Sequence, residues 1–226
     1  MTDAADVPAA PISWTVVIPV KGAPAAKSRL APAVTDDARA MLARAFALDT
    51  IAAALAAGSV AHVIVVGDDP ALAGGAEFLA EPVDGPRSLG RAVAHGIAHA
   101  RAGFDRPSRA SGIAVLLGDL PALRPDELDA ALEAAARHPL AFVRDADATG
   151  TTLATAGTGV AFDPRFGPGS AERHAAAGFV ELAASDAPGL TRDVDTVDGL
   201  ETVLHHGVGD HTAEVVARLA DRKGTT

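Results

Sequence analysis

Lys21, Lys27 and Arg29 fall within nine residues of one another, directly after the apolar run Val16 to Val20, and Gly22 and Ser28 lie among them. A strand that ends in a loop with glycine and cations presents positive charge and backbone N–H groups to phosphate. Other apolar runs end in acids. HVIVVG leads to Asp68 and Asp69, GIAVLLGD ends on Asp119, LAFVRD leads to Asp145 and Asp147, and TRDVD holds Asp193 and Asp195. Cations after one strand and carboxylates after others suit a polyphosphate together with a hard divalent ion such as Mg²⁺.

Asp119 is the sharpest of these acids. A single carboxylate at a strand end is a good first ligand for Mg²⁺, which keeps water and phosphate oxygens in its other positions. The competing reading is an aspartate that caps the following turn. Asp193 and Asp195 share one face of an extended segment. One is a candidate second ligand, while Asp195 or Thr196 alternatively caps the helix that follows. DATGTT (147–152) and FGPGS (166–170) are glycine-bearing loops with hydroxyls, suited to a small anion, and Ser170 also opens a helix. His95 and His99 have i, i+4 spacing without an HExxH pattern and read as ordinary surface or half-buried residues. Neither a GxSxG elbow nor a Walker loop is present.

The elements that must position these residues alternate. A strand at Val16 to Val20 precedes a helix that starts at Thr35-Asp36-Asp37 and stops at Gly58. Strands at 62–67, 112–119 and 140–145 alternate with helices at 89–102 and 125–137, the latter with proline in its first turn. FVEL and LTRDVD read as further strands, and TVDGLETVLHHG as a closing helix. Apolar strands separated by helices imply an α/β, three-layer, mainly parallel sheet covered on both faces. Ligands of such sheets bind at the carboxyl ends of the strands. One domain over residues 13–222 is expected, after a flexible N-terminus (1–12) and with a polar tail from Asp221.

Composition narrows the classes. The 226-residue chain has a formal net charge of −10 and no cysteine. That charge argues against general nucleic-acid binding, and the missing thiols exclude thiolate chemistry and thiolate zinc sites. No run approaches a membrane span and the first residues lack a signal-peptide pattern, so a cytoplasmic protein is expected.

Taken in order, the opening loop, GDLPAL, DATGTT, FGPGSAERHAAAG and RDVDT resemble the guanylyltransferases of coenzyme F420 biosynthesis. These are phosphoenolpyruvate or 2-phospho-L-lactate guanylyltransferases, within the Rossmann-like nucleotidyltransferases that include the molybdopterin guanylyltransferases. The resemblance runs from Val16 to about Thr212. It implies that Lys21, Gly22, Lys27, Ser28 and Arg29 bind the phosphates of GTP, with Lys21, Lys27 and Arg29 steadying the transfer. It also implies Asp119 and Asp193 as ligands of Mg²⁺, and Thr151 or Thr152, Gly167 and Ser170 as contacts of the phosphorylated acceptor. Ser88-Leu89-Gly90 stands where the family commonly has Gly-Leu-Asn, so Leu89 and Gly90 are expected near the nucleotide without that amide. The implied reaction moves GMP from GTP to phosphoenolpyruvate, and the alanine-rich, arginine-over-lysine composition favours that acid. Alternatives are 2-phospho-L-lactate or 3-phosphoglycerate as acceptor, another small-molecule nucleotidyltransferase, or a non-catalytic nucleotide-binding protein.

Overall fold

Apolar β-branched runs, long enough for one strand each and buried on both sides, build the centre of the molecule. A computed structural model describes residues 13–20, 35–103 and 111–224. Its strands are β1 (Ser13–Pro19), β2 (Val60–Gly67), β3 (Glu77–Ala80), β4 (Ser111–Leu116), β5 (Leu140–Arg144), β6 (Thr151–Ala156) and β7 (Val180–Glu181). They form one sheet in the order β3-β2-β1-β4-β6-β5-β7. β1 pairs in parallel with β2 and β4, β2 with β3, and β5 with β7, whereas β6 runs antiparallel to both β4 and β5. The mainly parallel sheet is therefore as expected.

The helices are α1 (Asp36–Ala56), α2 (Leu89–Ala102), α3 (Pro125–Ala135), α4 (Ser170–Ala176), α5 (Pro188–Thr191), α6 (Val197–His206) and α7 (Asp210–Gly224). Alternation along the strands divides the core between two faces. Val16, Ile18, Ala114 and Leu116 pack with Ile51 of α1 and Leu128 and Leu132 of α3. Val17, Ile64, Val66 and Val115 face Val93 and Ile97 of α2 and Ala171 of α4. A third cluster joins Leu42 and Phe46 of α1 to Val194 and Val203, with Val215, Val216 and Leu219 of α7 against it. Among the described residues no helix is long and apolar enough to cross a membrane.

EFLA adds an edge strand, β3, to those expected. Three expectations change. Thr151 and Thr152 open strand β6 instead of belonging to a loop. LTRDVD is not a strand: its first residues end α5, and 192–195 lie outside any helix or strand. The supposed polar tail belongs to α7, whose start is capped by Asp49 of α1, with His211 and Thr212 N–H donating to its carboxylate at 3.0 and 2.8 Å. The expected flexible segment 1–12 lies outside the described residues.

Candidate active site

Beyond Leu116 the chain of β4 continues past the start of β6, with Leu117 N–H donating to Thr152 C=O at 2.9 Å. A cavity of about 490 Å³ opens at this end of the sheet, and Asp119, Asp193, Asp195, Thr152, Ser170 and Gly167 all line it. The two groups singled out from separate parts of the sequence, acids and hydroxyl loops, thus meet in one place.

The acids converge closely. One carboxylate oxygen from each of Asp119, Asp193 and Asp195 lies within 4.8 Å of the others. Three oxygens of this hard type suit a hard divalent cation such as Mg²⁺ or Mn²⁺. Asp195 therefore joins the cluster, and the following helix is capped by Thr196, whose Oγ1 accepts from Gly199 N–H at 3.1 Å. The scaffold behind the acids is buried. Val194, between the two late acids, is fully buried beside Leu42, Phe46 and Val203, and its N–H donates to Asp119 C=O at 3.2 Å. The hydroxyl of Thr50 accepts from Leu120 N–H at 3.0 Å and donates to Phe46 C=O at 2.8 Å, pinning the Asp119 loop to α1. Buried Glu127 of α3 accepts from Arg124 N–H at 3.0 Å and Gly189 N–H at 3.1 Å, so one side chain holds the segments that flank both acidic stretches.

The other wall is made of hydroxyls. Thr152 Oγ1 and Ser170 Oγ are buried and have no hydrogen-bond partner among the described residues. A buried polar group left so costs about 1–3 kcal/mol, which points to a ligand that supplies the missing partners. Ser170 N–H donates to Gly167 C=O at 3.0 Å, so although Ser170 opens a helix it is its hydroxyl that is left to offer. Arg173 Nη2 donates to the carbonyls of Arg165, Phe166 and Gly167 at 3.0, 3.4 and 3.3 Å. Because N–H and C=O of a trans peptide point in opposite directions, the Gly167 N–H faces away from Arg173. Asp145 closes the turn between β5 and β6 by accepting from Thr149 and Gly150 N–H at 2.9 and 2.7 Å. A Cβ at residue 150 would lie 2.2 Å from that carboxylate, which explains the glycine.

His174 joins these pieces and carried no signal that marked it out in the sequence. It is fully buried between Phe142, Phe166 and Phe179. Its Nε2 accepts from Arg165 N–H at 2.8 Å, so Nδ1 carries the proton and donates to Thr151 Oγ1 at 3.0 Å. Burial, aided by the charges of Arg173 and Arg165, lowers its pKa from 6.5 to about 4. The unfolded chain takes up this proton as pH falls through 6.5, while the folded chain resists until about 4. The stability His174 confers is therefore complete above pH 6.5 and declines between 6.5 and 4, by about 3 kcal/mol. Urea unfolding followed across this range should show that limb in the wild type and lack it in His174→Gln. An unchanged slope in the variant would contradict the buried neutral imidazole.

Of the remaining expectations, Leu89 lines the cavity, whereas Gly90 is exposed in the first turn of α2 and is not among the lining residues. Thr151 is buried against His174 and also lines the cavity. The acids after β2 are structural: Asp69 caps a 3₁₀ turn at Pro70–Leu72 and pairs with Arg44, and Asp68 pairs with Arg87 at 2.7 Å. Lys21, Gly22, Lys27, Ser28 and Arg29 lie outside the described residues.

A family model described as guanylyl transferase CofC like matches residues 14–221. A phosphoenolpyruvate guanylyltransferase of Streptomyces scabiei is 47% identical over 215 residues, covering 92% of this chain and 98% of the relative. One of Thermomonospora curvata is 47% identical over 213 residues, covering 93% and 91%. Among solved structures, a candidate nucleotide-diphospho-sugar transferase of Desulfovibrio desulfuricans G20 superposes with a TM-score of 0.62 at 20% identity, covering 85% of this chain and 86% of that one. At that identity the likeness is one of fold.

Proposed function

The chain belongs to the CofC-like guanylyl transferase family, and on that premise we propose that it transfers GMP from GTP to phosphoenolpyruvate, with release of pyrophosphate, in the cytoplasmic biosynthesis of coenzyme F420. Relatives that are 47% identical over nearly their full length bear the name of that activity. The observation that carries the reading at the level of the site is the meeting, in one cavity, of the Asp119-Asp193-Asp195 cluster and the hydroxyls of Thr152 and Ser170, which have no partner among the described residues.

The chemistry asks little of a general base. A phosphate oxygen of the acceptor is already anionic at neutral pH and attacks the α-phosphorus of GTP. A new P–O bond forms there, the bond from that phosphorus to the bridging oxygen of the β-phosphate breaks, and pyrophosphate leaves. What the protein must supply is alignment and charge compensation. Asp119, Asp193 and Asp195 would hold Mg²⁺, which when bound neutralises phosphate charge. The hydroxyls of Thr152 and Ser170 and the Gly167 N–H orient the acceptor beside these acids. Thr151, held by His174, fixes the start of β6 and so the height of Thr152. Lys21, Lys27 and Arg29, with Gly22 and Ser28, are assigned to the GTP phosphates on their place in the sequence, and Leu89 to the nucleotide side of the cavity. His174 has no proton to exchange near neutral pH, so its work is to position.

Pyrophosphate release tests the assignment, with GTP, ATP and CTP crossed against phosphoenolpyruvate, 2-phospho-L-lactate and 3-phosphoglycerate in the presence of Mg²⁺. The expected outcome is turnover with GTP and phosphoenolpyruvate above every other pair. Turnover with another acid would reassign the acceptor, and none with GTP and any of the three would overturn the reading.

A further inference from the structure

The acceptor proposed above is anionic at both ends, a phosphate and a carboxylate, and the two need different partners. The attacking phosphate is drawn towards the cation that the three converging aspartates would hold. The carboxylate must then be met by groups that are not acids. Among the described residues that line the cavity, Arg192 is the one lysine or arginine, set among six aspartates. Yet Arg192 makes no ion pair among the described residues, and its Nε–H is buried without an acceptor. A guanidinium that close to carboxylates ordinarily pairs with one. Asp145, an acid of the hydroxyl wall, already accepts from Thr149 and Gly150 N–H.

The backbone fixes where this cation stands. Thr191, the residue before it, accepts from Ala146 N–H at 2.8 Å and so is tied to the turn that leads into Thr151 and Thr152. Asp193, the residue after it, belongs to the acidic cluster. Gly189, three residues earlier, is anchored by Glu127. Arg192 thus leaves the chain between the hydroxyl wall and the acids, on a segment held at both ends. Resting on the guanylyl-transfer reading, we propose that Arg192 binds the carboxylate of the phosphorylated acceptor and so selects phospho-acids over simple phosphate monoesters. Thr152 and Ser170 hydroxyls complete the recognition as donors, which accounts for polar groups that are otherwise buried without partners.

The test removes the carboxylate from the ligand and the guanidinium from the protein in turn. Vinyl phosphate is phosphoenolpyruvate without its carboxylate. Pyrophosphate release would be followed with GTP and Mg²⁺ for wild type, Arg192→Gln and Arg192→Lys, using each of the two acceptors. Loss of a charge-assisted bond of this kind is expected to lower kcat/KM for phosphoenolpyruvate by about 10–100-fold, mainly through KM, in Arg192→Gln. Vinyl phosphate should be used equally poorly by wild type and variant, the KM for GTP should stay within about twofold, and lysine should restore part of the preference. Thermal unfolding of each variant checks that the fold survives. If Arg192→Gln keeps the wild-type preference for phosphoenolpyruvate over vinyl phosphate, the proposal is wrong. If it weakens both acceptors alike or raises the KM for GTP, Arg192 serves the phosphates and the proposal is equally overturned. A wild-type protein that turns over none of the phospho-acids would instead refute the underlying reading, and this inference with it.

Discussion

Asp119→Ala is expected to lower guanylyl transfer by roughly 10³-fold while leaving a folded protein. The side chain is one of three whose carboxylate oxygens lie within 4.8 Å of one another, so its loss removes a third of the donor set. The backbone carbonyl that receives Val194 N–H stays in place, and with it the contact that keeps the late acids near the β4 loop. Two measurements separate a metal role from damage to the fold. Divalent cation should raise the melting temperature of the wild type, because binding to the native state alone stabilises it, and should leave that of Asp119→Ala unmoved. Pyrophosphate release should fall at every nucleotide concentration, with no recovery at saturating GTP. A variant that kept its activity would refute the metal assignment.

Gly189→Ala should be the most damaging glycine-to-alanine substitution among the described residues. A Cβ there would lie 2.1 Å from the carbonyl oxygen of Ala122 and 2.4 Å from Glu127 Oε2, far inside van der Waals contact. The first of these is backbone and has little room to retreat. Relief requires α5 to move off the α3 start, which carries Arg192 and Asp193 away from Asp119. A cost of about 3 kcal/mol is expected in urea unfolding, together with weaker cation binding in whatever fraction folds. Glu127→Gln probes the same joint without a clash. Glu127 accepts N–H bonds on both oxygens, and an amide has one acceptor, so one buried N–H would face a donor. Wild-type stability and cation affinity in Gly189→Ala would show that this close approach does not position the acids.

Much of the parallel half of the sheet could be read from residues alone. β1, β2 and β4 each contain an unbroken apolar run because both faces of the sheet are covered there, and Thr35 and Pro125 mark helix starts by local chemistry that operates as expected, with Thr35 Oγ1 accepting from Ala38 N–H at 3.3 Å. What could not be read depends on distant partners. Thr151 and Thr152 read as the end of a glycine-bearing loop because Asp147 to Gly150 precede them, yet TTLATA is a fully buried strand because β4 and β5 pair with it on both sides. α7 is polar along most of its length, and its N-terminal cap, Asp49, lies in α1, more than 160 residues earlier.

The candidate site divides in the same way. Asp119, Asp193, Thr152, Gly167 and Ser170 were marked by their place after strands or in glycine loops, and the fold brings them to one cavity. Alternation also placed Asp193 and Asp195 on one face. Choosing between ligand and helix cap, however, required the burial of Val194 and the capping bond of Thr196. Thr50 and Glu127 were invisible as site residues because each acts on backbone far away in the chain, and His174 and Arg173 because they act by holding the loop and the strand start beside them. Arg192 stood inside the RDVDT motif, overshadowed by its acids; only the cavity shows a cation there with no partner among the described residues.

The most direct test of the account is the identity of the product formed from GTP and phosphoenolpyruvate. Phosphorus NMR and mass spectrometry of the reaction mixture should reveal one diphosphate-linked guanosine–enolpyruvate conjugate for every pyrophosphate released, absent when the divalent cation is chelated. Pyrophosphate released with free GMP and intact phosphoenolpyruvate would mean hydrolysis, and would contradict the claim that this cavity holds the acceptor.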